Sequence, residues 1–234
     1  MNVFDESILH FLNRFSQKSF FFDSLMNFAV SNYLFKGGVV MAVLWFFWFD
    51  KSTDINKNRN GVVITLISSF IAIIVGRVLE LTFPFRARPA YNPDILFVRP
   101  YKFGNYSLEH FSSFPSDHAV LFFAMATGIF LISKRAGIIT YLYVFFVICT
   151  PRMYLGLHYP TDILAGAAIG IITAIIVSVS RIFVPLINKI LQFSSNRPGY
   201  FYAFFFLLSF EISTLFDDVR TIGTYFFEFL RRAI

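Results

Sequence analysis

Apolar runs close to the length of a membrane helix recur along this chain, separated by short charged loops, and no other feature constrains it as much. A helix needs about 20 mostly apolar residues to cross a hydrocarbon core about 30 Å thick. Stretches of that kind lie at about 30–49, 61–83, 118–133, 137–150, 161–180 and 199–217. Composition supports the same class. Of the 234 residues 56% are hydrophobic and only 15% charged, whereas a soluble domain carries about 25% charged residues. Too few charges remain to cover a water-facing surface. So aromatic a chain is not disordered, and the single Cys149 excludes an internal disulfide framework. The expectation is an all-α integral membrane bundle of about six transmembrane helices, forming one domain over residues 1–234.

The ends of the chain read differently from the spans. In 3–22, Phe4, Ile8, Phe11, Leu12 and Phe15 recur at helical spacing beside Asp5, Asn13 and Arg14. This is the pattern of an amphipathic helix lying in a membrane interface, and residues 218–234 read the same way. Asp5, Glu6, Arg14 and Lys18 interrupt the N-terminal segment, which therefore does not read as a signal peptide. The net charge of +6 fits attraction to anionic headgroups; with no nucleic-acid motif present, nucleic acid is not an expected partner. Loops 50–60, 134–135 and 181–197 share one side and hold eight Lys or Arg residues, while 84–117 and 151–160 share the other with five. The positive-inside rule makes the first group cytoplasmic.

Those last two loops, meeting on one face, hold nearly every reactive group. The first contains Arg86, Arg88 and then Pro115-Ser116-Asp117-His118; the second contains Pro151-Arg152, His158 and Asp162. Arg88 and Arg152 offer planar, permanently charged forks that match phosphate oxygens. Ser116 adds a hydroxyl, and the span starting at Asp117 or His118 directs free N–H groups and its positive dipole end to the same place. Of two histidines beside a phosphate, one can attack phosphorus and the other protonate the leaving oxygen. Asp162, four residues after His158, is spaced to hold an imidazole in one tautomer. No metal or other cofactor is expected, since the arginines already balance phosphoryl charge. A protein that only bound or transported an anionic lipid would need the arginines alone.

The order Arg88-Pro89, Pro115-Ser116-Asp117-His118 and Arg152-x5-His158-x3-Asp162 resembles the three-part signature of the type 2 phosphatidic acid phosphatase superfamily: Lys-x6-Arg-Pro, Pro-Ser-Gly-His and Ser-Arg-x5-His-x3-Asp. The resemblance covers about 75–180. It implies a six-helix membrane enzyme that removes phosphate from a lipid through a phosphohistidine, without a metal. Carried over by position, it makes His158 the nucleophile, Asp162 its orienter and His118 the general acid, with Arg88, Ser116 and Arg152 on the phosphoryl oxygens. Compact size and an outward-facing site resemble the bacterial undecaprenyl diphosphate phosphatases of the inner membrane. Phosphatidylglycerophosphate phosphatase, lipid A phosphatase and a non-catalytic lipid transporter are the alternatives.

Three positions depart from the signature. Leu81 stands where the family has its Lys, and Arg86 is expected to take that place on the phosphate. Arg77 is the other candidate, but helical side chains lean toward the N-terminus of their helix, which directs it away and leaves it to pair with Glu80. Asp117 replaces Gly and is expected to act as a helix N-cap pointing out of the pocket. Pro151 replaces Ser, so one neutral donor is missing.

Overall fold

The computed structural model describes residues 2–104, 110–219, 221–223 and 225–226. Among the described residues the regular elements are all helical. In chain order they are α1 (Val3–Asn13), α2 (Phe20–Ser31), α3 (Val39–Phe49), α4 (Ile55–Thr82), α5 (Asp117–Ile132), α6 (Lys134–Tyr143), α7 (Thr150–Tyr154), α8 (Pro160–Val179), α9 (Val184–Asn196) and α10 (Pro198–Ser213). A π-helical stretch, Val144–Cys149, joins α6 to α7, and another, Leu34–Gly38, leads into α3.

Short polar side chains set the helix starts. Asp54 accepts from the N–H groups of Asn56 and Lys57 to open α4. Ser133 ends α5 and caps α6 through Ala136 N–H, so the two helices turn on a single residue. Such caps satisfy donors that the helix itself leaves free.

Three stretches among the described residues are long and apolar enough to cross a membrane: α4, the run Lys134–Tyr154, and α8. The number rises to five if each of two bent pairs counts as one span, while α5, at 16 residues, is apolar but shorter. The all-α bundle is present; length alone does not reproduce six spans. The expected helix at 30–49 is instead part of a bent pair, Phe20–Ser31 and Leu34–Phe49, with a 68° break. The break has a local cause, because Asn32 leaves helical backbone and its Oδ1 accepts from Leu34 and Phe35 N–H. Trp48 lies in the last turn of that pair's second helix. It is fully buried, stacked on Phe201 with centroids 5.1 Å apart and donating to Tyr202 Oη.

Three further expectations change. Residues 181–197, read as a loop, carry α9, whose Ile187, Ile190 and Leu191 pack on the core from one face. The span expected at 199–217 stops as a helix at Ser213. The segment 218–234 lies largely outside the described residues. Residues 3–22 form α1 and the beginning of α2 rather than one helix.

The core is built around α5, where residues 119–129 are all buried. Around it stand α4, α6 and α8, close enough to leave no room for side chains at several crossings. A Cβ at Gly166 would lie 2.7 Å from the Ser116 carbonyl oxygen, and one at Gly170 would lie 2.3 Å from that of Val120. Small residues at this spacing let two helix backbones approach. Because the obstacle is main chain, it cannot move aside. Gly170→Ala is expected to destabilise by about 1–3 kcal/mol or more through overpacking. Gly199→Ala, whose Cβ meets nothing within 4 Å, should leave stability unchanged or slightly raised. Thermal midpoints of the two variants in one detergent check the contrast.

Candidate active site

Two helix starts converge at the site. Ser116 is the N-cap of α5, its fully buried hydroxyl accepting from Ala119 N–H at 3.5 Å. Its own N–H donates to the Asp162 carbonyl at 3.2 Å, which joins the start of α5 to the first turn of α8. Asp162 is also fully buried, and its Oδ2 reaches back to accept from Tyr159 N–H at 2.8 Å. A carboxylate in that place satisfies a free donor and complements the helix dipole. The loop between α4 and α5 closes over this junction through Ser113 N–H to the Arg86 carbonyl and Ala90 N–H to the Gly156 carbonyl, both 2.9 Å. Gly156 is required there: its φ is +66°, and a Cβ would lie 2.6 Å from the Phe97 ring.

His158 lies between α7 and α8, 5% exposed. Its Nδ1 is 2.8 Å from the Ser113 carbonyl oxygen and 3.8 Å from Asp162 Oδ2. A carbonyl only accepts, so Nδ1 carries the proton. The other nitrogen, Nε2, is 3.2 Å from Arg88 Nη1; facing a cationic donor, it presents its lone pair. Burial first, and the Arg88 charge second, push the His158 pKa down from an ordinary 6.5 to about 4, against smaller opposing effects of Asp162 and the Ser113 carbonyl. The imidazole is therefore neutral at pH 7, as a nucleophile must be. The hydrogen bond expected from Asp162 is made by Ser113 instead. Asp162 acts on His158 through its charge at 3.8 Å.

Arg88 is 8% exposed, and carbonyls of two connections hold it: Nη1 donates at 2.8 Å to Leu157 O, between α7 and α8, and Nη2 at 3.1 Å to Ser112 O, between α4 and α5. Burial lowers its pKa, opposed by the nearby charges of Asp117, Glu80 and Asp162. Its buried Nε has no hydrogen-bond partner among the described residues, a donor available to an incoming oxygen. Arg152, 2% exposed, extends an Nη1 to the Ile148 carbonyl one turn back. His118 is the second residue of α5, half-buried beside the Phe122 ring.

Two expectations are corrected. Asp117 does not cap α5, a role taken by Ser116; it forms an ion pair with Arg77 Nη2 at 2.7 Å. The expected Arg77–Glu80 pair is present as well, so Arg77 bridges two carboxylates. Arg86 is not turned to the phosphate side. Its Nη1 donates to Asp162 Oδ1 at 2.6 Å, its Nη2 to Asp5 Oδ2 at 2.7 Å, and its guanidinium lies 3.8 Å above the Tyr159 ring. Two carboxylates flank it on opposite sides. Leu81, at the family's Lys position, is 84% exposed.

Some contributors escaped sequence reasoning. Ser113 acts through a backbone carbonyl, which carries no residue-type signal. Asp5 looked like the polar face of an interfacial helix. Thr161, next to Asp162, binds Asp5 across 156 residues, a pairing that residue type alone does not signal. With a folded pKa near 4 against 6.5, the unfolded chain takes up a proton at His158 that the folded chain refuses. Stability from this group therefore falls as pH drops from about 6.5 to about 4. Nitrogen NMR of ring-labelled protein at pH 5.5 should find His158 still neutral with the proton on Nδ1; a protonated ring at that pH contradicts the burial argument.

Comparison with known proteins bears on this geometry. Over 131 residues the chain is 31% identical to the bacitracin transport permease protein BcrC of Bacillus licheniformis, covering 56% of this chain and 59% of that protein's length. Aquifex aeolicus LpxE is a structural neighbour with a TM-score of 0.49 and 26% identity, covering 76% of this chain and 99% of that one. The Bacillus subtilis PAP2-type phosphatidylglycerolphosphate phosphatase gives 0.48 and 19%, covering 76% and 87%. The family model of the PAP2 superfamily matches residues 61–183. That match spans more than half of the chain and takes in every site residue named above except Asp5: the chain belongs to the PAP2 superfamily.

Proposed function

We propose that this integral membrane protein is a lipid phosphatase that transfers the phosphoryl group to His158 and then to water. One observation carries the reading: a buried, neutral imidazole presents its Nε2 lone pair beside Arg88, whose Nε is an uncommitted buried donor. Family membership supports it. A protein that only held an anion would have no use for a neutral histidine directed at that anion.

The chemistry follows from the groups present. Phosphoryl oxygens bind to Arg88, Arg152 and the Ser116 hydroxyl, at the positive end of the α5 dipole. His158 Nε2 attacks phosphorus as the bond to the leaving oxygen breaks, and His118 gives that oxygen a proton. The imidazole becomes cationic while Nδ1 keeps its proton on the Ser113 carbonyl. The Asp162 charge, 3.8 Å away, stabilises that cation. Water, losing its proton to His118, then attacks phosphorus and breaks the P–N bond. Inorganic phosphate leaves and both histidines are restored. The arginines and helix start act where charge develops, in a site from which water is largely excluded. With the phosphoryl charge so balanced, release in EDTA is expected to equal release without it.

For substrate we propose an isoprenoid diphosphate, undecaprenyl diphosphate first, attacked from the outer face of a bacterial inner membrane. The resemblance of the motifs and the loop-charge asymmetry support this. A panel including phosphatidylglycerophosphate and lipid A phosphates, read as released phosphate, ranks the candidates. The name of the Bacillus licheniformis relative gives a transport reading weight; lipid movement by purified protein without phosphate release on any member would establish it instead.

The histidines are expected to fail differently. General acid catalysis is typically worth about 10²–10⁴-fold and matters least when the leaving group is already a weak base. His118→Ala should therefore still release the aryl alcohol from an activated aryl phosphate in a burst, with the later hydrolysis of the phosphohistidine slowed, whereas His158→Ala should be inactive on every substrate. Near-normal turnover by His158→Ala would sink the phosphohistidine route. Orientation is tested with single cysteines at Asp94 and Lys134, both exposed and at opposite ends of the bundle, against a buried native Cys149. An impermeant maleimide on intact cells should reach position 94 and not 134.

A further inference from the structure

We propose that Asp5, on the N-terminal helix α1, works with Arg86 as a positioning pair for Asp162 and, through it, for His158. The proposal rests on the phosphatase reading above and adds to the site a residue far outside the family match. Asp5 is fully buried, although it belongs to a helix whose other face exposes Phe4 and Phe11. Its Oδ1 accepts from Thr161 N–H at 2.9 Å. Its Oδ2 accepts from the Thr161 hydroxyl at 2.7 Å, Arg86 Nη2 at 2.7 Å and Asn2 Nδ2 at 3.1 Å. Arg86 in turn donates from Nη1 to Asp162 Oδ1 and to the Thr161 hydroxyl, at 2.6 and 2.9 Å.

The charge arithmetic shows what this arrangement does. A carboxylate buried without a partner is costly, and here two buried carboxylates share one guanidinium. Were Asp162 its sole partner, Arg86 would cancel the negative charge that must stabilise the imidazolium on His158. With Asp5 on the other side, the guanidinium is divided between two anions and Asp162 keeps a net negative field toward Nδ1. Geometry adds a second effect. Arg86 on Oδ1 and Tyr159 N–H on Oδ2 fix the plane of the Asp162 carboxylate, while Asp5 fixes Arg86. Docking of α1 has other anchors besides: Asn13 exchanges two hydrogen bonds with Val98, and Gln17 donates to the Arg99 carbonyl. Asp5 is thus not needed merely to hold the helix in place.

The test uses the full chain, purified in detergent and assayed for phosphate release. Asp5→Asn, which leaves Arg86 to cancel the Asp162 charge, and Arg86→Gln, which frees the plane of that carboxylate, should each lower kcat by about tenfold or more with KM within about threefold, the signature of lost transition-state stabilisation. The double variant should be no worse than the poorer single one, because both act through the same carboxylate. Asn13→Ala, which loosens α1 without touching the pair, should stay within about twofold of wild type. Additive losses, or an Asp5→Asn enzyme with normal kcat, overturn the proposal. So does an Arg86→Gln enzyme that keeps kcat while its KM rises about tenfold, since that puts Arg86 on the substrate. Arg86 is partly exposed, so that variant decides the matter even if Asp5→Asn does not fold. A wild-type protein that releases no phosphate from any lipid phosphate fails the phosphatase reading, a different result from each of these.

Discussion

The backbone of α8 lies against that of α5 with no side chain between them at Gly166 and Gly170, and the site is a consequence of that approach. It puts the first turn of one helix on the cap of the other, so that Ser116 N–H meets the Asp162 carbonyl. His158 then follows from α8, one turn before Asp162, and His118 from α5, two residues after Ser116. Neither histidine is aimed by a long flexible loop. Their relation is set where protein structure is stiffest, in the packing of two helix backbones. Side chains at the glycines would separate the helices and the two halves of the site together.

Around that junction, burial makes each charge effective. Arg88, Arg152, Asp5 and Asp162 are all nearly or fully inaccessible, and interactions between such groups are screened far less than in water. Backbone carbonyls complete the arrangement: those of Ser112 in the covering loop and Leu157 just before α8 hold Arg88, and that of Ser113 holds His158. With these groups fixed beforehand, little reorganisation is left for the reacting state. The neutral state of His158 is the clearest product of this environment, since burial opposes its charging more than Asp162 favours it.

Sequence and structure agree where residue type carries the information. Apolar runs show the helices, and the spacing of His118, Arg152, His158 and Asp162 marks one face as the candidate site. Disagreement has identifiable causes. A backbone carbonyl such as that of Ser113 is present at every residue and has no sequence signature, so the imidazole's partner could not be named. Arg86 was assigned to phosphate because its other carboxylate, Asp5, lies far away in sequence and looked like a solvated face. Asn32 breaks a helix that hydropathy alone runs through, since a short polar cap weighs little in an average over apolar neighbours. The α9 pattern, Ile187, Ile190 and Leu191 at helical spacing, was there to be read, but the surrounding Lys, Arg and Asn residues gave the segment a loop's composition.

The Asp5–Thr161 contact joins positions 156 residues apart, which has a consequence for how the protein is made. During synthesis the first helix emerges with an acid whose partners are Arg86 and the start of α8, the latter not yet translated. Until Thr161 is made, Asp5 has at most Asn2 and Arg86 among its partners and lacks the N–H and hydroxyl of Thr161. Closing so long a loop is entropically unfavourable until the helices it bridges have assembled. Helix α1, although it precedes the rest of the bundle in the chain, is therefore among the last elements to be fixed in place.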